Sequence, residues 1–218
     1  MSNFNENTRV QVPAALHLCK LGYTYLDKIE ALDTGTNIIV DVFLESVKNL
    51  NPGISGTEVS ILFSRIVSIA NNDDLGRELY QLLSANSGIK LIDFDNPENN
   101  VWHVTTELPY ENKETDDNFR PDITCFVNGL PLAFIEVKKP NNHEGILAER
   151  ERINKRMSKS CFRRFFNLTQ LMIFSNNQEY DNENRVPIQG AFYCCTAKEK
   201  AFFNVFREED NNFEYYYT

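Results

Sequence analysis

What the chain lacks narrows it first. No apolar run approaches the ~20 residues that a membrane span requires, and the polar opening Met1-Ser-Asn-Phe-Asn-Glu6 has neither the basic nor the apolar region of a secretory signal. A cytoplasmic protein is the default expectation. No Gly-x-x-x-x-Gly-Lys-Ser/Thr occurs, so the chain by itself is not expected to hydrolyse ATP. Histidine is scarce and scattered (His17, His103, His143). The five cysteines (Cys19, Cys125, Cys161, Cys194, Cys195) are odd in number and include no Cys-x-x-Cys, which argues against a zinc site and a disulfide framework. Buried free thiols in a reducing compartment are the expectation. Internal repeats and low-complexity tracts are also missing. At 218 residues, 42% of them hydrophobic, the chain can build one sizeable core, or a core with a helical annex.

Positive charge is scarce overall, with a net charge of −9, but it is concentrated. Between Lys138 and Arg164 nine Lys and Arg face three Glu, a local +6 that leaves −15 elsewhere. If Glu144 to Lys159 is helical, Arg152, Lys155, Arg156 and Lys159 fall on one face, and Ile146, Ile153 and Met157 on another. Such a helix has a core side and a side suited to DNA phosphates, although a charge run is often no more than a solvated surface.

The first 88 residues read as a helical region, with apolar helical spacing over Pro13 to Leu21, Ile38 to Lys48, Gly56 to Ala70 and Leu75 to Leu83. Ser55-Gly-Thr-Glu58 has the form of a capping box. From Ile89 the pattern changes to short strands: Ile89 to Phe94, Val101 to Glu107, a hairpin, Leu171 to Ser175, and Gly190 to Thr196. The basic helix between the hairpin and Leu171 makes a strand-helix-strand unit with a parallel crossover. The fold class expected is α/β, a mixed central β-sheet flanked by helices, with residues 89–218 as its core and 1–88 packed on it. Acidic, Asn-rich stretches at 111–118 and 176–184 read as exposed loops.

The hairpin carries the chemistry. Arg120-Pro-Asp122 opens the β-branched and aromatic run Ile123 to Val127, Asn128-Gly129 is a turn signal, and Pro131 to Lys138 is a second extended run ending Glu136-Val-Lys138. Glu136 and Lys138 project from one face of their strand. A Glu-x-Lys pair on a strand is most often just a polar face. Here the neighbours Leu132, Ala133, Phe134, Ile135 and Val137 look buried on both faces, so the charges need partners or a metal. Two carboxylates (Asp122, Glu136) beside a lysine can bind a hard divalent cation and set an ammonium next to the water it activates. Strand parity raises a difficulty: a regular two-residue Asn128-Gly129 loop puts Asp122 opposite Ile135, on the face away from Glu136. The carboxylates can converge only through a longer loop or a bulge between Gly129 and Glu136, for which Pro131, with no N–H to give, is a suitable place.

At these residues the chain resembles the PD-(D/E)xK nucleases. The longer blocks Ile89 to Asn100, Arg120 to Lys138, Glu6 to Tyr25 and Gln170 to Asn177 resemble the N-terminal part of the restriction (R, motor) subunit of type I restriction-modification enzymes. The resemblance implies a restriction-endonuclease-like fold and a Mg²⁺-dependent nuclease acting on double-stranded DNA. Asp122, Glu136 and Lys138 are then the catalytic set; Asp122, Glu136, the Val137 carbonyl and Glu6 hold Mg²⁺; and Arg152, Lys155, Arg156 and Lys159 contact DNA. It also implies that modification and specificity subunits are partners, that a C-terminal ATP-driven motor domain belongs to the same subunit, and that target sequence is read elsewhere. One departure stands out. Members of the family often carry Gln-x-x-x-Tyr in the helix after the Glu-x-Lys strand, where this chain has Glu149-Arg-Glu-Arg-Ile-Asn-Lys-Arg156, leaving Arg152, Asn154 or Arg156 to do that work. Two alternatives stay open: a noncatalytic DNA-binding or docking module of a motor subunit with a degenerate site, and a repair-type nuclease acting alone.

Overall fold

The computed structural model describes residues 10–85, 87–111, 118–139, 145–178 and 190–205. Helix α1 (Val12–Lys20) carries Pro13 in its first turn, where the missing N–H would have had no helical partner anyway. Strands β1 (Thr24–Tyr25), β2 (Leu32–Asp33) and β3 (Ile38–Ile39) follow, and β3 runs directly into α2 (Val40–Leu50). That helix was expected from Ile38, but Ile38 and Ile39 pair with Asp33 and Leu32 instead. Helix α3 (Gly56–Ile69) is entered through the capping box: Ser55 Oγ accepts from the Glu58 N–H at 3.2 Å, and Glu58 Oε2 accepts from the Ser55 N–H at 2.9 Å. Helix α4 (Arg77–Leu83) starts later than Leu75 because Leu75 and Gly76 both have left-handed backbones.

Ile89 to Phe94 is not the strand that its apolar residues suggested. Side chains take over the backbone hydrogen bonds that a ladder would have used. Asn51 bonds both the N–H and the C=O of Lys90, Asn128 donates to the Leu91 carbonyl, and Asn100 accepts from the Asp93 N–H. Leu91 and Ile92 are consecutive and both buried, which a regular strand facing one core could not achieve.

Strands β4 (Trp102–Thr106), β5 (Ile123–Val127) and β6 (Leu130–Val137) form an antiparallel run. Helices α5 (Gly145–Met157) and α6 (Arg163–Leu168) then lead to β7 (Leu171–Ser175), which lies parallel to β6. Strands β8 (Ala191–Cys194) and β9 (Asn204–Val205) close the order β1-β4-β5-β6-β7-β8-β9. The fold is therefore α/β with a mixed central sheet and flanking helices, consistent with a restriction-endonuclease-like architecture. β1, from the N-terminal region, is parallel to β4 and so belongs to the same sheet as residues 102–205.

Packing explains why the hairpin sits deep. At its tip Asn128 and Gly129 both have positive φ, as a two-residue type I′ turn requires. A Cβ on Gly129 would lie 2.6 Å from the Ile39 carbonyl oxygen, so only glycine lets β3 and α2 approach this closely. Val127, Leu130 and Leu132 join one core with residues of α2, α3 and α4, including Phe43, Val59 and Ile66. On another side Phe134 and Phe174 meet Phe162, Phe165 and Ile153 from the crossover. All five cysteines are free, but only Cys125 and Cys194 are buried, and burial pushes both thiols up to about 12; Cys19 and Cys161 are half-buried and Cys195 is exposed. Among the described residues no helix is long and apolar enough to cross a membrane. Much of the expected loops at 111–118 and 176–184 lies outside the described residues.

Candidate active site

The irregularity needed to bring the carboxylates together is present in the hairpin. Next to the turn Val127 pairs with Leu130 and Phe126 with Pro131, but Cys125 then pairs with Ala133, Thr124 with Phe134 and Ile123 with Ile135. Leu132 is the extra residue, a bulge immediately after Pro131. Beyond it every pairing is shifted by one, so Asp122 comes opposite Glu136 rather than Ile135.

Asp122 is fixed from several directions. Its carbonyl accepts from the Glu107 N–H at 3.0 Å and from Gln11 Nε2 at 2.7 Å, and its Oδ2 accepts from the Val137 N–H at 2.8 Å. Gln11, buried just before α1, thus ties the N-terminal segment to the site. Glu6, the additional acid expected there, lies outside the described residues.

Three carboxylates surround one ammonium. Lys138 Nζ lies 3.9 Å from Asp122 Oδ2, 3.6 Å from Glu136 Oε2 and 3.3 Å from Glu149 Oε2, and donates to the Val137 carbonyl at 3.0 Å. The Lys138 side chain is only 12% exposed, and Glu136 as a residue 5%. Burial pushes the Glu136 carboxyl well above the ordinary range, reinforced by the charges of Asp122 and Glu149 and opposed by Lys138 and Arg156. Burial also raises Asp122, against the Val137 N–H, Lys138 and a hydrogen bond with Glu136 that favour its ionised form.

This donor set fits a hard divalent cation. Buried Glu136 Oε1 has no hydrogen-bond partner among the described residues, which leaves an oxygen that a cation could take. The side-chain donors are few: among the described residues no three His, Cys, Asp or Glu are grouped as a ready metal cage. Asp122, Glu136 and the Val137 carbonyl would therefore leave other positions to water, the habit of Mg²⁺.

Helix α5 supplies the rest. Ile146 and Ile153 face the core as expected, but the basic residues do not form a single outward stripe. Arg152 Nη1 lies 2.8 Å from Glu149 Oε2 while 60% of its side chain stays exposed. Arg156, 16% exposed, sits 4.0 Å from Glu149 Oε1 and stacks on the Phe119 ring with 4.5 Å to the centroid. Lys155 and Lys159 are exposed, and Lys159 follows the end of the helix. Sequence reasoning missed Glu149 as a site residue. The signal was available: Glu149 occupies the same helical stripe as Ile146 and Ile153, where a charged residue needs a partner.

Fold and site together define an α/β protein that carries two carboxylates and a lysine at one end of the central hairpin of a mixed sheet. The chain belongs to the family described as the type I restriction enzyme R protein N terminus, which matches residues 3–181. It is 26% identical over 167 residues to a Methanocaldococcus jannaschii protein named as a candidate type I restriction enzyme MjaIXP endonuclease subunit, a match covering 66% of this chain and 16% of that protein. A second protein of that organism, named as a candidate MjaVIIIP endonuclease subunit, is 28% identical over 137 residues, covering 56% of this chain and 13% of the relative. The chain thus spans 16% or less of the length of these relatives.

Proposed function

We propose that this chain is the Mg²⁺-dependent nuclease module of a type I restriction enzyme, hydrolysing phosphodiester bonds of double-stranded DNA in the cytoplasm without reading base sequence. The observation that carries this reading is the bulge at Leu132, which puts Asp122 across from Glu136 with Lys138 between them. The bulge leaves Leu132 unpaired with β5, although its carbonyl accepts from the Gln170 N–H at 2.7 Å, and bulges of this kind re-aim side chains beside active sites.

Asp122, Glu136 and the Val137 carbonyl, with Glu6, would hold Mg²⁺. The ion, when bound, supplies an activated water at neutral pH and offsets charge on the phosphate oxygens. Lys138 orients the attacking water and stabilises negative charge developing on the phosphoryl group. Lys155 and Lys159 offer exposed cations to the DNA backbone, and Arg152 and Arg156 line the approach to the site. Modification and specificity subunits are the partners, target recognition falls to the specificity subunit, and ATP use to a C-terminal motor domain of the same subunit. The noncatalytic docking reading is the outcome to test against.

The decisive experiment is Mg²⁺-dependent cleavage of plasmid by the assembled complex carrying Asp122→Ala, Glu136→Ala or Lys138→Ala. Each substitution is expected to abolish cleavage while ATP-driven translocation continues. Full cutting by all three variants overturns the assignment.

A further inference from the structure

Glu149 has a place in the site that neither the cation ligands nor the DNA contacts account for. Its side chain is 3% exposed and touches three cations: Arg152 Nη1 at 2.8 Å, Lys138 Nζ at 3.3 Å and Arg156 Nη1 at 4.0 Å. Among the described residues it is the carboxylate nearest to Lys138. Oε2 serves Lys138 and Arg152 together, so the charge of the glutamate is divided between the strand and the helix.

We propose that Glu149 is a positioning residue that holds the Lys138 ammonium in place for the reaction, with Arg152 and Arg156 fixing the glutamate in turn. The inference rests on the nuclease reading for its consequence, but its geometry is independent of that reading. Lysine carries its charge on a flexible four-carbon stem and needs an external anchor to be held to one point. The Lys138 N–H donates to the Ser175 carbonyl at 2.8 Å, which fixes the backbone, and its Nζ donates to the Val137 carbonyl at 3.0 Å, an oxygen that a bound cation would also draw on. Asp122 and Glu136 are poor anchors, because a bound cation claims the same oxygens. Among the described residues Glu149 is then the carboxylate left to the lysine, and it comes from α5, the element that also carries Arg152 and Arg156. A helix bearing DNA-contacting cations thereby also sets the position of the catalytic ammonium.

The test compares Glu149→Ala, Glu149→Gln and Glu149→Asp in the full assembled complex, with Asp122→Ala alongside. Removing the anchor is expected to lower kcat for plasmid cleavage about 100-fold, the scale of a misplaced catalytic group, while KM for DNA stays within about twofold. Glu149→Asp, which keeps the charge, should recover part of the loss. Two further readouts are independent of turnover. Lys138 should react faster with an amine-directed acylating reagent in Glu149→Ala, mapped by mass spectrometry, and Mn²⁺ affinity by calorimetry should be unchanged. Should alanine lower the melting temperature, the isosteric Glu149→Gln decides, with the same expected loss of kcat. Wild-type cleavage by Glu149→Gln, a loss residing in KM, or a fall in Mn²⁺ affinity overturns the proposal, the last by making Glu149 a cation ligand. If Asp122→Ala is inactive while the Glu149 variants cut normally, only this inference fails; if Asp122→Ala cuts normally, the nuclease reading fails.

Discussion

Glu136 is where the energetic cost of the site is concentrated. Its carboxyl has one oxygen without a partner among the described residues and two like charges nearby, and burial pushes it well above the ordinary range. The sign of the linkage follows. A carboxyl whose pKa is raised by folding binds its proton more tightly in the folded state, so it penalises folding once pH exceeds its unfolded value, and the penalty is complete above the folded value. Without divalent metal the protein should therefore lose stability as pH rises from the ordinary carboxyl range toward neutral. Glu136→Gln should remove part of that slope and raise the melting temperature at neutral pH. Thermal melts in chelator from about pH 5 to about pH 8 give the answer; a Glu136→Gln protein that melts lower than wild type at neutral pH contradicts this account of the carboxyl. Added Mg²⁺ should narrow the difference by stabilising the ionised wild-type site.

The hairpin decides whether these residues meet. Gly129 at its tip has φ +79° and no room for a Cβ beside Ile39 and Phe43. Gly129→Ala should cost about 1–3 kcal/mol in urea unfolding, the range for strained left-handed backbone; a loss near zero would show that the tip does not pack as described. The sequence made much of this legible. Asn128-Gly129 announced the turn, the Glu-x-Lys face announced the chemistry, and parity required either a longer loop or a bulge between Gly129 and Glu136, of which the structure has the bulge. Other elements were hidden for physical reasons. β1, β2 and β3 are two residues each, too short to show a period of two, and β1 exists because a neighbouring strand offers it an edge. Ile89 to Phe94 reads as a strand by composition, but long-range hydrogen bonds from Asn51, Asn100 and Asn128 hold it as a loop, and no local pattern reveals them. Glu149 was visible only if a charge in the apolar stripe of α5 was taken as a demand for partners.

Across the whole molecule, charge is segregated rather than balanced. A protein with net charge −9 keeps its positive excess in the segment 138–164, which reaches from the end of β6 through the crossover. Long-range repulsion from the remainder should make DNA binding depend on those few cations and on salt. Replacing the exposed Lys155 and Lys159 by Gln should flatten the plot of log affinity against log salt by about one unit each. An unchanged slope would mean that this surface faces plain solvent. All of this depends on one convergence, since the fold, the bulge and the charge distribution serve catalysis only if Asp122 and Glu136 share a cation. Anomalous diffraction from crystals soaked in Mn²⁺ measures that directly. A peak within about 2.0–2.3 Å of a carboxylate oxygen of both residues is the predicted result, and a well-ordered site with no peak, or with one bound to neither carboxylate, would contradict the account.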